Sequence, residues 1–325
     1  MNIIAKSFAV FVNLACLSVA QAQVSEVIVP RSKVSGTGPF PSMAASVNAM
    51  PENTLFLPQK MPDEKLPIIL WGNGGCKKNA LAYGEFLREL ASYGYFIIAA
   101  GEPIEEGLLA VEQARAKLLG EQKKDNHQVG GPDQTSAEQL LRGLDWLNTV
   151  SKKEGHPLMG QVDTDSVAVM GHSCGGLQAI DVATDSRIDT AVIFNSGVIN
   201  EPLTVKDTGL PKFVQSTALK VGYDMLGKVK IPLAYINGGP ADIAYFNALE
   251  DYDKVKTNPI IFAENGVGHS GTFRFPDGGA YSSVARYWLD WQLKGSKEAS
   301  RWFKGDTCGL CEDFDWQIKS KNLGE

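Results

Sequence analysis

The segment VAVMGHSCGGLQAI, residues 167–180, constrains the fold more than any other part of the chain. It begins with a short apolar run typical of a buried strand, passes through a polar turn framed by glycines, and continues with a pattern typical of a helix. Residues 171–175 match the pattern G-x-S-x-G. A serine between a strand and a helix sits in a sharp turn that exposes its hydroxyl, and the flanking glycines leave room for that turn. The segment predicts a nucleophilic Ser173; the alternative is a polar residue in a tight turn.

The same alternation of strand and helix patterns extends along most of the chain. Short runs that are apolar on both faces are typical of buried strands in a mostly parallel sheet. These runs are 54–58, 67–71, 95–100, 167–170, 190–195, 233–237 and 259–263. Segments with apolar residues three and four positions apart, as in an amphipathic helix, are 83–94, 136–150 and 283–293. The alternation predicts an α/β fold with helices on both faces of the sheet.

The first 22 residues differ from the rest of the chain. Lys6 is their one charge, an apolar stretch follows, and the motif Ala-Gln-Ala ends at Ala22. This pattern predicts a secretory signal peptide, residues 1–22, and a secreted or periplasmic protein. The apolar stretch is too short for a comfortable membrane span, so no stable membrane anchor is expected. The net charge is −6 and no basic block occurs, which argues against nucleic acid as a partner.

Residues 23–325 are predicted to form a single α/β domain, because their number suits one large core. The segments 105–133 and 201–230 interrupt the alternation and are interpreted as insertions over the carboxyl edge of the sheet, where ligands bind in such folds. They could equally be surface excursions without a catalytic role. Residues 306–325 form an extension that contains two cysteines.

A nucleophilic serine needs a base, and His269 is the predicted one. It lies in the glycine-rich segment ENGVGHSGTF after the last predicted strand, where the chain order Ser, Asp, His places the base. His127 and His156 lie in polar or glycine- and proline-containing segments and are predicted to be solvated. His172 directly precedes the serine, and the turn is expected to fix its ring, which makes it a poor proton acceptor.

The acid that orients the base is predicted to be Asp242. It lies five residues past a predicted strand in LAYINGGPADIAY, after a Gly-Gly-Pro turn. There it would hold the tautomer of the imidazole and stabilise the imidazolium that forms during attack. Asp251, Asp253 and Glu264 are alternative acids, and the alternative role for Asp242 is capping of the following helix.

The oxyanion hole is expected to combine two backbone N–H groups. One comes from the residue after the nucleophile, Cys174, and the other from the loop WGNGGC, residues 71–76. Asn73 is the predicted donor in that loop, with Gly74 and Gly75 as alternatives. A serine hydrolase of this kind needs no cofactor and no metal, and neither is predicted.

These motifs together resemble the α/β-hydrolase superfamily over nearly all of residues 50–305. WGNGG is similar to the H-G-N-G-G oxyanion loop of many esterases, with Trp71 in place of the usual histidine. GHSCGG resembles the nucleophile elbow, and GVGHSG resembles the histidine loop. Residues 285–305 are similar to the C-terminal helix of secreted dienelactone-hydrolase-like and cutinase- or PETase-like esterases and lipases. The resemblance implies an α/β-hydrolase fold with a mostly parallel central sheet.

The cysteines after the leader are Cys76, Cys174, Cys308 and Cys311. An even number in an oxidising compartment favours two disulfides, with three connectivities open. Cys76 and Cys174 flank the two predicted oxyanion donors, so the fold would bring them together, and we predict a Cys76–Cys174 disulfide; the alternative is two unpaired core residues. Cys308–Cys311 is predicted as a local structural disulfide, because no βαβ context surrounds its C-x-x-C spacing.

The sequence therefore predicts a secreted serine hydrolase that cleaves a small-molecule or polymeric carboxylic ester through an acyl-enzyme. A peptidase or thioesterase that uses the same triad is one alternative. A non-catalytic binding protein on a hydrolase fold is another, and it would be expected to have lost a triad member. Aromatic residues near the site loops could line an acyl pocket or pack in the core: Trp71, Tyr83, Tyr245, Phe246 and Phe273.

Overall fold

The computed structural model describes residues 26–104, 134–199 and 220–324. The predicted signal peptide, the insertion predicted at 105–133 and most of the insertion predicted at 201–230 lie outside these ranges. Within them, one ten-stranded sheet forms the centre of the molecule.

The strands are β1 (Ile28–Pro30), β2 (Ser42–Val47), β3 (Asn53–Pro58), β4 (Leu66–Gly72), β5 (Phe96–Ala100), β6 (Val162–His172), β7 (Thr190–Phe194), β8 (Leu233–Asn237), β9 (Ile260–Glu264) and β10 (Gln317–Lys321). Their order in the sheet is β1-β2-β3-β5-β4-β6-β7-β8-β9-β10. The six strands from β5 to β9 in this order are parallel, while β1, β2 and β3 at one side and β10 at the other pair antiparallel. The prediction of a mostly parallel sheet is confirmed.

All seven predicted strands form, and β1, β2 and β10 are additional. The sequence of β10 is QIKSK, and the strand is mostly exposed at the edge of the sheet. An edge strand of this kind needs few apolar side chains, because its burial is low and only one neighbour pairs with its backbone. Apolar patterning therefore does not reveal it in the sequence.

The helices are α1 (Gly84–Ser92), α2 (Ala137–Val150), α3 (Cys174–Val182), α4 (Tyr223–Leu226), α5 (Tyr245–Lys254), α6 (Gly279–Lys294), α7 (Lys297–Ser300) and α8 (Gly309–Glu312). The helix α2 begins at a serine cap, in which the Ser136 side chain accepts a hydrogen bond from the Gln139 N–H. None of the helices in the described ranges is both long enough and apolar enough to cross a membrane.

The helices cover both faces of the sheet. Along β4, Ile68 and Leu70 pack into one buried cluster with side chains of α2 and α3, whereas Ile69 and Trp71 pack into a second cluster with side chains of α1 and α6. This division follows from the strand period of two, which sends successive side chains to opposite faces. The predicted arrangement with helices on both faces is confirmed.

Most of the residues of interest lie just beyond the carboxyl ends of neighbouring parallel strands. Asn73 follows β4, Ser173 follows β6, and Asn195 follows β7. Asp242 and His269 lie in the loops after β8 and β9. Because the carboxyl ends of parallel strands meet at the same edge of a sheet, five segments that are distant in sequence converge there.

Candidate active site

Ser173 occupies a sharp turn between β6 and α3, with φ 53° and ψ −119°. A non-glycine residue in this region costs on the order of 1–3 kcal/mol of backbone strain, so the surroundings must hold it. The Ser173 N–H donates to the Phe194 carbonyl at 2.9 Å, and the Ser196 hydroxyl donates to the Ser173 carbonyl at 2.7 Å. The strained turn is thereby tied to the end of β7.

The two glycines of the G-x-S-x-G pattern are needed for close backbone packing. A Cβ atom on Gly171 would overlap the backbone of Gly175, and one on Gly175 would overlap the Gly72 carbonyl in β4. The same hypothetical Cβ on Gly175 would lie 2.7 Å from the Asn73 nitrogen. The first turn of α3 therefore packs directly against the loop after β4.

Ser173, His269 and Asp242 form a continuous chain of hydrogen bonds. The Ser173 hydroxyl lies 3.0 Å from His269 Nε2, and His269 Nδ1 lies 2.6 Å from Asp242 Oδ1. Because a carboxylate can only accept, Nδ1 carries the imidazole proton and Nε2 is left to accept the serine proton. The three predicted residues are thus brought together with the polarity that base-assisted attack requires.

The Asp242 carboxylate is buried and well supplied with donors. Besides His269, the Ala244 N–H donates to Oδ1 at 2.9 Å, and the Asn195 side-chain amide donates to Oδ2 at 2.7 Å. Burial raises the pKa of Asp242, but these hydrogen bonds and the nearby His269 lower it by more, so the pKa lies below its ordinary value. Asp242 is therefore ionised at neutral pH and can stabilise an imidazolium.

Asn195 is a site residue that the sequence analysis missed. Its side-chain amide also donates to the Gly268 carbonyl at 3.0 Å, so it joins Asp242 to the loop that carries His269. Its backbone has φ +46°, a conformation that asparagine adopts more readily than most residues. The available signal was its position as the last residue of the predicted strand 190–195, at the edge where Ser173 lies.

Two of the alternative acids, Asp251 and Glu264, contact other groups. Asp251, on α5, accepts hydrogen bonds from the Val198 N–H and the Tyr235 hydroxyl, and burial raises its pKa to about 7. Glu264 accepts a long bond of 3.5 Å from the Tyr245 hydroxyl. Neither contact involves His269, so the geometry favours Asp242 over both.

The other histidines have different surroundings. The prediction that His156 is solvated is wrong: it is 8% exposed, accepts from the Leu158 N–H and lies 3.4 Å from Glu26. Its loop folds back on the domain, which buries the ring despite the polar sequence. His172 is also buried, and both of its ring nitrogens have hydrogen-bond partners. His127 lies outside the described residues.

The loop after β4 is held by the side chain of Asn73. Its amide donates to the Lys77 and Ala100 carbonyls, and its oxygen accepts from the Trp71 indole N–H at 2.9 Å. Gly74, one of the alternative oxyanion donors, uses its N–H on the Tyr83 hydroxyl at 2.8 Å. This favours Asn73 over Gly74, and the Asn73 nitrogen lies beside the first turn of α3, which Cys174 begins.

The described residues contain two disulfides. Cys76 and Cys174 are both buried, with their Cα atoms 5.3 Å apart and 98 positions between them in the sequence. This bond joins the loop after β4 to the first residue of α3. A second disulfide joins Cys308 and Cys311 in the C-terminal extension.

The aromatic residues near the site divide between core and surface. Trp71 and Phe273 are fully buried, and each packs within 6 Å of several other rings, so they belong to the core. Phe246 is 71% exposed and contacts the ring of Tyr245. Of the five aromatic residues considered, the two fully buried ones are therefore unsuited to contact a substrate directly.

Comparison with known proteins gives one informative relative. No family model matches the chain. The chain is 26% identical over 238 residues to platelet-activating factor acetylhydrolase from Cavia porcellus, and the match covers 64% of this chain and 48% of the relative. The chain thus spans about half the length of that relative.

The fold is the α/β-hydrolase fold. A mostly parallel sheet, a serine in a strained turn after a central strand, and the similarity to an acetylhydrolase agree on this point. At a coarse level, the chain is similar to a serine ester hydrolase. The closer resemblance to cutinase- or PETase-like enzymes stays a prediction.

Proposed function

We propose that this protein hydrolyses carboxylic esters through a covalent acyl-enzyme on Ser173. The observation that carries the proposal is the unbroken chain of hydrogen bonds from the Ser173 hydroxyl through His269 to the Asp242 carboxylate. A serine hydroxyl is a weak nucleophile at neutral pH and needs such a base to remove its proton during attack.

In the first half of the reaction, Ser173 Oγ attacks the ester carbonyl carbon while His269 Nε2 accepts the serine proton. The imidazolium that forms is stabilised by the buried, ionised Asp242. The tetrahedral intermediate then collapses as His269 returns the proton to the leaving alkoxide. An alcohol departs, and the acyl group stays on Ser173.

In the second half, water replaces the alcohol. His269 removes a proton from the water, the hydroxide oxygen attacks the acyl carbon, and the second tetrahedral intermediate expels Ser173. The serine regains its proton from His269, and the carboxylic acid leaves. The same base serves both halves, as microscopic reversibility requires.

The negative oxygen of each tetrahedral intermediate is proposed to accept hydrogen bonds from the N–H groups of Asn73 and Cys174. Two features support these donors: the loop after β4 packs directly on the first turn of α3, and the Cys76–Cys174 disulfide joins the same two segments. Donors held rigidly before reaction need no reorganisation when the charge develops.

The ester as substrate is supported by the relative, which is named as an acetylhydrolase. Hydrolysis of peptides and of thioesters uses the same triad chemistry, so both reactions are tested beside ester hydrolysis. Two disulfides in the described residues support a protein that works in an oxidising compartment, as a secreted or periplasmic protein does.

The test is a Ser173→Ala variant assayed with p-nitrophenyl acetate and with a fluorophosphonate probe, followed by mass spectrometry of the labelled peptide. We expect the wild type to carry one adduct, on Ser173, and S173A to lose kcat by at least about 10⁴-fold, since the triad serine supplies most of the chemistry. Parallel assays with an anilide and a thioester rank the three bond types.

The matched control is Ser166→Ala, which removes a serine hydroxyl from the same strand, β6, where it bonds only to Asp163 among the described residues. S166A should label and turn over like the wild type. Full activity in S173A contradicts the proposal, because another residue then performs the chemistry. No adduct on a folded wild-type protein also contradicts it and favours a non-catalytic binding role.

A further inference from the structure

A second chain of hydrogen bonds runs beside the triad. The Gly74 N–H lies 2.8 Å from the Tyr83 hydroxyl, which lies 2.8 Å from His172 Nδ1; His172 Nε2 lies 2.8 Å from the His269 carbonyl oxygen. This chain joins two loops, which we call the oxyanion loop (residues 73–76) and the base loop (residues 265–278).

The two ends of this chain have fixed directions. The His269 carbonyl can only accept, so His172 Nε2 carries a proton and donates it. The Gly74 N–H can only donate, so the Tyr83 oxygen accepts it. In a neutral His172 with its one proton on Nε2, Nδ1 is an acceptor, and the neutral Tyr83 hydroxyl donates to it.

The surroundings maintain this state. Burial, and secondarily the nearby His269, lowers the pKa of His172 to about 4. Burial raises the pKa of Tyr83 to about 12. Both groups are consequently uncharged over the whole range around neutral pH, and His172 does not compete with His269 for the serine proton.

Gly74 shows how tightly this contact is made. A Cβ atom at that position would collide with both His172 Nδ1 and the Tyr83 hydroxyl. Only a glycine allows the backbone of the oxyanion loop to approach the two side chains this closely. The first glycine of the N-G-G motif thus serves the contact to Tyr83 and His172 as well as the turn itself.

We infer that Tyr83 and His172 are positioning residues that set the oxyanion loop and the base loop at a defined distance from each other. Gly74 directly follows Asn73, a proposed oxyanion donor, and the carbonyl that His172 holds belongs to His269 itself. This inference rests on the proposed function. Neither side chain reacts; each acts through the loop that it holds.

The consequence for catalysis is specific. The reaction needs the base near Ser173 Oγ and the donors near the oxyanion at the same moment, and a displacement of about 1 Å can cost about 10²-fold in rate. Loss of the Tyr83 hydroxyl would leave the Gly74 N–H and His172 Nδ1 without their partner, and the oxyanion loop could shift relative to His269.

The first experiment compares Tyr83→Phe with Tyr95→Phe. Tyr95 is the control because it is a buried tyrosine whose hydroxyl donates to Asp290, a residue outside the triad and outside both loops. Kinetics with p-nitrophenyl acetate and the second-order rate of fluorophosphonate labelling are measured on protein shown to be folded by circular dichroism.

For Y83F we expect kcat and the labelling rate to fall together by about tenfold to a hundredfold, with KM changed by less than about threefold. Y95F should lower thermal stability without changing either rate. Equal rates for Y83F and the wild type overturn the inference.

A second variant keeps the inference testable if Y83F does not fold. His172→Gln places an amide near Nε2, so it can still donate to the His269 carbonyl, but it removes the acceptor of the Tyr83 proton. H172Q should lower the rate, and the Y83F/H172Q double variant should lose little more than Y83F alone, because Y83F already removes the Tyr83–His172 bond that H172Q breaks. A wild-type labelling rate in H172Q, or losses that multiply in the double variant, contradicts a shared role.

The failure of the inference is distinguishable from that of the proposed function. A reactive wild type with unreactive S173A and unaffected Y83F removes only the positioning role. An unreactive wild type removes the proposed function and the inference with it.

Discussion

The two sides of the candidate site are held by different kinds of bond. On the oxyanion side, a disulfide joins Cys76 to Cys174 across 98 positions of sequence. On the acid and base side, Asp242 and His269 lie 27 positions apart after neighbouring strands, and the contacts described there are hydrogen bonds. A covalent bond holds the oxyanion side together, and hydrogen bonds hold the acid and base side together.

This difference has a physical basis and a physical consequence. β8 and β9 are adjacent in the sheet, so the loops of Asp242 and His269 meet without a further link. The covalent side should be sensitive to reductants and insensitive to pH, whereas the hydrogen-bonded side should respond to changes of charge. His172 bridges the two sides, since it contacts Tyr83 and the His269 carbonyl.

The largest expected effect comes from the hydrogen-bonded side. In Asp242→Asn, an amide donor facing His269 Nδ1 would favour the tautomer with its proton on Nε2, which cannot accept from Ser173. We expect kcat for p-nitrophenyl acetate to fall by about 10³–10⁴-fold. Steady-state kinetics at neutral pH measures the loss.

The matched control is Asp251→Asn, a buried aspartate on α5 whose partners are Val198 and Tyr235. D251N should change stability and leave kcat near the wild-type value. If D251N instead abolishes activity and D242N does not, the assignment of the acid is wrong.

The covalent side is tested by the double variant Cys76→Ala with Cys174→Ala. The loop that the disulfide closes corresponds to roughly 4–5 kcal/mol in the chain-entropy account, and native disulfides typically contribute about 2–5 kcal/mol. We expect the free energy of unfolding, measured in urea, to fall by about 2–5 kcal/mol. We expect kcat of the folded fraction to fall about tenfold, because the proposed oxyanion donors lose a rigid link.

Cys308→Ala with Cys311→Ala is the comparison for this change, since that disulfide closes a segment of only three positions outside the site. Its removal should cost less stability and leave kcat unchanged. If the Cys76/Cys174 variant keeps its stability and the Cys308/Cys311 variant loses much of it, the prediction that the Cys76–Cys174 bond contributes more to stability is wrong.

The smallest expected effect is a dependence of the free energy of unfolding on pH, which arises from His172. The pKa of His172 is about 4 in the folded protein against an ordinary value of 6.5, so the unfolded chain binds more protons between these values. The contribution of His172 to the free energy of unfolding is fully present above pH 6.5. It is lost as pH falls from 6.5 towards 4, by up to about 1.4 kcal/mol per pH unit.

Urea unfolding at pH 7, 5.5 and 4.5 measures this effect, and H172Q isolates it from other groups. The wild type should lose about 2–3 kcal/mol more than H172Q between pH 7 and 4.5. Asp242 acts in a lower range, because its pKa lies below its ordinary value of 3.8 and its contribution is lost only as pH falls through that region. Equal slopes in the two proteins contradict a buried neutral His172.

Patterns that depend on nearby residues were readable in the sequence. The seven apolar runs predicted the six parallel strands and β3, since burial on both faces leaves a local signature. The turn around Ser173 was predictable because the glycines that it requires are its immediate neighbours. β10 was missed because a polar edge strand depends on its partner strand rather than on its own pattern.

By itself, the sequence determined which elements form and in what order the reactive groups follow one another, because periodicity and turn chemistry act over a few residues. Only the tertiary structure decided the contacts that complete the site: Asn195 on Asp242, the burial of His156, and Tyr83 on His172, which lies 89 positions away. Such contacts arise from the order of strands in the sheet and the packing of loops at its carboxyl edge, and spacing along the chain does not encode either.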